Sequence, residues 1–187
     1  MFKNTYKLIN YLIENKEDEF SIYALSKILK IDYKTIYVLI DNLKNSLNIR
    51  KQSKVNFVSF KANLTNEIYL VEKQRLENIL KNKNLKIIYE ELEKLNEQFI
   101  LLLFGSYAKN TQTKNSDIDL LLISNDSDLI KKQLEILPLS IHLTCVSNKE
   151  FISMLNSKKF TVVSEAVKNN VVLFGVEEYY RFLKNVN

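Results

Sequence analysis

Two aspartates, Asp117 and Asp119, are separated by one residue and lie between a polar loop and the apolar run 120–123. Residues at i and i+2 of a strand project from the same face, so the two carboxylates would lie side by side. Neighbouring carboxylates repel each other unless a cation lies between them, and Mg²⁺ that bridges to phosphate oxygens is the usual occupant. We therefore predict that Asp117 and Asp119 bind a metal.

A Gly-Ser pair, Gly105-Ser106, follows the apolar run 101–104. Glycine at a strand-to-helix turn lets the backbone approach a ligand closely, and the free amides of a helix N-terminus favour an anion such as a polyphosphate. Ser106 would add a hydroxyl donor. Lys109 is a candidate for a secondary phosphate contact, and a solvated lysine is the alternative. Gly105, Ser106 and Lys109 are thus the predicted polyphosphate-binding residues.

The alternation of apolar runs with amphipathic segments predicts that these residues are positioned by a mixed α/β domain of about four strands. The last strand ends at a glycine, and the helix after the second strand ends at the only proline. The predicted strands are 101–104, 118–123, 140–146 and 171–174, and the predicted helices are 85–95, 129–137, 149–155, 162–168 and 177–184.

The third predicted strand, 140–146, carries no carboxylate. If its apolar residues face the core, then His142 and Thr144 face the site. His142 is therefore a candidate base or metal ligand, and the alternative is a structural histidine. Asp126 and Asp128 follow the second strand and fit a helix cap better than a metal site.

Residues 1–63 have the pattern of a winged helix-turn-helix. Two short helices with a tight connection are predicted, and Ser21 and Asp32 are their N-caps. Two β-prone runs around a basic turn, within 47–61, resemble a wing. We expect an α+β chain with three parts: the mostly helical winged helix-turn-helix, a linker helix at 64–83, and a small mixed-sheet α/β domain at 84–187.

The charge of the chain is concentrated in its first half, where residues 1–83 hold 15 Lys and Arg against 9 Asp and Glu. Such an excess favours a nucleic-acid partner, with duplex DNA as the first expectation. A solvated basic face and a protein-docking module are the alternatives. The predicted contact residues lie on the second helix and on the wing: Tyr33, Lys34, Thr35, Tyr37, Lys44, Arg50, Lys51 and Lys54.

Composition excludes several classes of protein. No apolar run approaches the roughly 20 residues that cross a bilayer, and the first residues lack a signal-peptide core. We therefore expect a cytoplasmic protein without a membrane partner. One cysteine, Cys145, cannot form an internal disulfide, and one cysteine with one histidine cannot form a zinc cluster. Any metal must be held mainly by carboxylates.

The segment Gly105-Ser106, together with Ser116-Asp117-Ile118-Asp119-Leu120, resembles the signature of the polymerase-beta-like nucleotidyltransferases, in their minimal form. The resemblance covers residues 84–187 and implies that Mg²⁺ and a nucleoside triphosphate, first of all ATP, bind here and that a nucleotidyl group is transferred to a hydroxyl. It also implies that this segment is a nucleotidyltransferase-type domain, that Asp117 and Asp119 hold the metals and are catalytic, and that Gly105 and Ser106 hold the β and γ phosphates.

The chain departs from the family pattern at two places. Asn110 replaces a frequent glycine, and asparagine tolerates the left-handed conformation that the position requires. The third carboxylate, which active members carry on the next strand, is missing. Two functions therefore stay open: a Mg²⁺-dependent nucleotidyltransferase, and a DNA-binding transcriptional regulator or antitoxin-like protein whose degenerate domain only binds nucleotide. A toxin-like protein partner and a homodimer are further expectations.

Overall fold

The computed structural model describes residues 2–95, 97–157 and 159–186. The chain divides into two compact units between Val71 and Glu72. This division falls inside helix α4, Asn66–Ile79, and therefore within the segment 64–83 that the sequence predicts as a linker helix. No helix in the described ranges combines the length and the apolar character needed to cross a bilayer.

The first unit combines three helices with a three-stranded antiparallel sheet of order β1-β3-β2. Strands β2 and β3 form a hairpin, in which Leu47 is opposite Phe60 and Gln52 is opposite Val55. Leu8, Leu12, Leu25, Ile36 and Val58 are buried in this unit. In chain order its elements are α1 (Phe2–Glu14), β1 (Phe20–Ser21), α2 (Ile22–Leu29), α3 (Tyr33–Asn42), β2 (Leu47–Gln52) and β3 (Val55–Phe60).

Both predicted helix caps of the first unit are confirmed. The Ser21 hydroxyl accepts a hydrogen bond from the Ala24 N–H at 3.1 Å. The Asp32 carboxylate accepts one from the Thr35 N–H at 2.9 Å. These bonds satisfy amides that the first turn of a helix leaves without a partner, and they fix where α2 and α3 begin.

The second unit contains a four-stranded mixed sheet of order β6-β5-β4-β7, in which β5 and β6 are parallel and the other pairs are antiparallel. The predicted mixed α/β arrangement with four strands is therefore confirmed. Besides the end of α4, its elements are α5 (Lys83–Glu93), β4 (Ile100–Phe104), α6 (Gly105–Ala108), β5 (Ile118–Ile123), α7 (Asp128–Glu135), β6 (Ile141–Val146), α8 (Asn148–Leu155), α9 (Val162–Lys168), β7 (Val171–Phe174) and α10 (Val176–Val186).

Buried side chains cover both faces of the central strands. On one face, Leu101 and Leu120 belong to a core that also includes Ile88 of α5 and Ile130 of α7. On the other face Leu121 is fully buried. Because every residue of β4 and all of β5 except Asp119 are buried, these two strands form a rigid base for the residues at their ends.

A buried polar network joins the end of α4 to distant parts of the second unit. The Arg75 guanidinium donates to the Glu72 carboxylate at 2.8 Å and to the Asn170 carbonyl at 2.7 Å. The Tyr180 hydroxyl donates to the other Glu72 oxygen at 2.6 Å. Burial, together with the negative charge of Glu72, raises the pKa of the Tyr180 hydroxyl well above its ordinary value. The Glu72 carboxylate thus links α4, directly and through Arg75, to residues that are far away in the sequence.

Candidate active site

Gly105 and Asp119 lie against each other where β4 ends and β5 begins. Phe104, the last residue of β4, is opposite Asp119 in the antiparallel pair. Gly105 has a φ of +68°, and a Cβ atom built on it would lie 2.1 Å from Oδ2 of Asp119. A side chain at position 105 would therefore displace the carboxylate, so glycine is required both for the backbone conformation and for the space.

The parallel pairing of β5 with β6 brings His142 next to Asp119. The two residues are direct partners in the register, and Nδ1 of His142 lies 3.2 Å from Oδ1 of Asp119. The His142 side chain is 66% exposed, so most of the imidazole remains accessible. Ile141, Leu143 and Cys145 pack against the core, as predicted for the alternate positions of this strand. His142 is therefore located beside the paired carboxylates.

Asp117 is held by Ser140, a residue that the sequence did not single out. The Ser140 hydroxyl donates to Oδ1 of Asp117 at 2.5 Å, and its carbonyl accepts the Ile118 N–H at 2.9 Å. Asp117 itself is exposed and precedes the first residue of β5. Only the register of two parallel strands places Ser140 here, and that register is not a local property of the sequence.

The short helix α6 and the turn after it form the other side of the site. The Ser106 carbonyl accepts the Thr111 N–H at 2.9 Å, which closes the turn. Asn110 adopts a φ of +57°, which confirms the left-handed conformation expected there. Lys109 is exposed. Gly105, the first residue of α6, lies against the Asp119 carboxylate.

Two carboxylates such as those of Asp117 and Asp119 suit a magnesium ion whose other ligands come from a substrate and from water. Nowhere in residues 2–95, 97–157 and 159–186 do three or more acidic, histidine or cysteine side chains form a group that could hold a metal. Mg²⁺ is commonly held by one or two carboxylates, with phosphate oxygens and water as the remaining ligands. Asp126 and Asp128 lie beyond the opposite end of β5, near the start of α7, and are not part of this group.

The predicted nucleic-acid-binding residues differ in their environments. Arg50 donates to the Glu19 carboxylate at 2.5 Å, and Lys44 pairs with Asp41 at the same distance. Five of the other predicted residues are exposed on α3 and on the β2–β3 hairpin. Thr35 is half-buried beside the Asp32 cap. The exposed members are Tyr33, Lys34, Tyr37, Lys51 and Lys54.

Comparison with known proteins identifies the family. The model of the polymerase beta nucleotidyltransferase family matches residues 74–179. The putative protein adenylyltransferase MJ1547 of Methanocaldococcus jannaschii is 36% identical over 95 residues, which cover 48% of this chain and 70% of the relative. No solved structure matches. With the Gly-Ser turn and the paired aspartates assembled at the end of one sheet, the chain belongs to the polymerase beta nucleotidyltransferase family.

Proposed function

We propose that this protein is a Mg²⁺-dependent nucleotidyltransferase that transfers a nucleoside monophosphate from a nucleoside triphosphate to a hydroxyl group. The contact between Gly105 and the Asp119 carboxylate is the observation that carries this proposal. It brings a turn suited to an anion next to a carboxylate suited to a cation, and a triphosphate with its metal needs both at once.

The residues of the site would have two roles, metal binding and phosphate binding. Asp117 and Asp119 would hold Mg²⁺, while the backbone at Gly105 and the Ser106 hydroxyl would bind the β and γ phosphates. Bound Mg²⁺ would offset the negative charge of the phosphate oxygens. The acceptor hydroxyl attacks the α phosphorus and loses its proton to water, the α–β phosphoanhydride bond breaks, and pyrophosphate leaves.

The similarity to MJ1547 favours ATP as the donor and a protein hydroxyl as the acceptor, because that relative is described as a putative protein adenylyltransferase. An experiment with ATP labelled at either the α or the γ phosphate tests this. With Mg²⁺ and a heat-treated protein extract as the source of acceptors, we expect the protein to add covalent label from α-labelled ATP only. Labelling from the γ position, or equal labelling by Asp119→Asn, would contradict the proposal.

A second function is favoured by the residue at position 142. No carboxylate of β6 faces the aspartates, and His142 lies beside Asp119 where the family pattern leads us to expect a third acidic group. A regulator or antitoxin-like protein that binds nucleotide without transferring it would fit this change. In the labelling experiment, this alternative predicts Mg²⁺-dependent ATP binding with no covalent label above the Asp119→Asn background.

We also propose that the first unit is a winged helix-turn-helix that binds duplex DNA. The element order α1-β1-α2-α3-β2-β3, in which two capped helices precede a hairpin, supports this proposal. On that hairpin Arg50 already pairs with Glu19, whereas Lys51 and Lys54 are exposed and have no ion pair with a described residue. Lys51 and Lys54 are therefore the stronger candidates for phosphate contact.

Neutralising Lys51 and Lys54 together is expected to weaken DNA binding and to reduce its dependence on salt. Each lost phosphate contact lowers the slope of log K against log salt by about one, so the double variant Lys51→Gln/Lys54→Gln should lose about two. The measurement is a fluorescence anisotropy titration with a duplex at several salt concentrations. Lys86→Gln, in the second unit, is the matched control, and an equal effect of the control would contradict the assignment.

A further inference from the structure

Two side chains of one strand each contact one of the two aspartates. Ser140 lies directly before β6 and contacts Oδ1 of Asp117, and His142 contacts Oδ1 of Asp119. The Ser140 hydroxyl donates to Asp117, and His142 donates to Asp119 in the tautomer that carries a hydrogen on Nδ1. Residues 140 and 142 are two apart, so they project from the same face of the strand.

These contacts involve the Oδ1 atom of each carboxylate and not its Oδ2 atom. No described residue donates a hydrogen bond to Oδ2 of either Asp117 or Asp119, and neither aspartate pairs with a described lysine or arginine. The Oδ2 atom of Asp119 faces the Cα of Gly105, on the side of the predicted phosphate-binding turn. The two remaining oxygens are thus available to a cation.

We propose that Ser140 and His142 are positioning residues, which orient the Asp117 and Asp119 carboxylates so that their Oδ2 atoms receive one divalent cation. This inference rests on the proposed function, because it concerns the same metal. Groups that hydrogen-bond to metal ligands fix the orientation of those ligands, and their loss typically lowers metal affinity about 10- to 100-fold. Two donor side chains at alternate positions, Ser140 and His142, would thereby fix the orientation of both carboxylates.

Variants of the two donors test the proposal through metal affinity. The probe is Mn²⁺, titrated by electron paramagnetic resonance into the full chain with a non-hydrolysable ATP analogue. Ser140→Ala and His142→Leu are each expected to weaken Mn²⁺ binding by about tenfold. Ser140→Thr and His142→Asn keep a donor near the original position and should remain close to the parent. Ser124→Ala, which removes a hydroxyl at the opposite end of the sheet, should leave Mn²⁺ binding unchanged.

A double-mutant cycle separates orientation of the ligand from a general loss of structure. In an Asp117→Asn background, Ser140→Ala should cause no further loss of Mn²⁺ affinity, because the carboxylate that it orients is gone. Equal losses in both backgrounds would overturn the role of Ser140, and so would parent-like Mn²⁺ affinity in Ser140→Ala and His142→Leu. A parent chain that binds no Mn²⁺ with the analogue would instead refute the proposed function, and this inference with it.

Discussion

Gly105→Ala is expected to lower nucleotidyl transfer by at least about 100-fold. The new Cβ would lie 2.1 Å from Oδ2 of Asp119, so the carboxylate must move. A misplacement of about 1 Å at a catalytic group can cost about 100-fold in rate. The left-handed conformation of residue 105 adds a cost of about 1–2 kcal/mol for a residue with a side chain. Transfer of α-phosphate label under saturating Mg²⁺ and ATP measures the loss.

Gly175→Ala is the matched control for this substitution, since the chain has only these two glycines and both have positive φ. At Gly175 a Cβ would lie 2.5 Å from the Phe99 carbonyl oxygen, at the end of β4 opposite to Gly105. We expect Gly175→Ala to lower stability but to retain nucleotidyl transfer below its unfolding temperature. Equal loss of transfer in both variants would mean that the Gly105 effect is not specific to the site.

Glu72→Ala is expected to lower the free energy of unfolding by about 3–5 kcal/mol. Glu72 and Arg75 are 3% and 6% exposed, and the Glu72 carboxylate also accepts from the Tyr180 hydroxyl. Glu72→Ala removes the carboxylate that balances the buried Arg75 charge, and the loss of one partner of a buried ion pair accounts for an effect of this size. Urea unfolding followed by circular dichroism gives the value.

An exposed ion pair on α5 provides the control for Glu72. Lys86 and Glu90 lie 3.5 Å apart, and more than half of each side chain is exposed. Because solvent screens such pairs, Glu90→Ala should change the free energy of unfolding by less than about 1 kcal/mol. The double variant Glu72→Leu/Arg75→Leu should be more stable than Glu72→Ala, since it removes both buried charges of the pair. The opposite order would contradict the electrostatic explanation.

The features that depend on neighbouring residues could be predicted from the sequence. The Gly105-Ser106 turn and the strands on either side of it follow from apolar runs and a glycine. The Ser21 and Asp32 caps follow from side chains that bond amides three residues away. Each of these is set by contacts within one turn or one strand, and such contacts are visible as spacing.

The features that depend on tertiary pairing could not be predicted. Strand β1 is only two residues long, and it exists because Phe20 and Ser21 pair with β3. Ser140 reaches Asp117 only through the parallel register of β5 and β6. Glu72 and Arg75 have the spacing of an ordinary surface pair on a helix, and distant residues bury them. In all three cases the partner lies far away in the sequence.

Mg²⁺-dependent binding of ATP by Asp117→Asn, compared with the parent chain, tests the central claim most directly. Isothermal titration calorimetry of the full chain should show binding to the parent that requires Mg²⁺ and is lost or weakened at least about tenfold in the variant. Asp126→Asn, which changes a carboxylate beyond the opposite end of β5, should bind like the parent. Equal affinity in the parent and in Asp117→Asn, or binding that does not require Mg²⁺, would contradict a metal–nucleotide site at Gly105, Asp117 and Asp119.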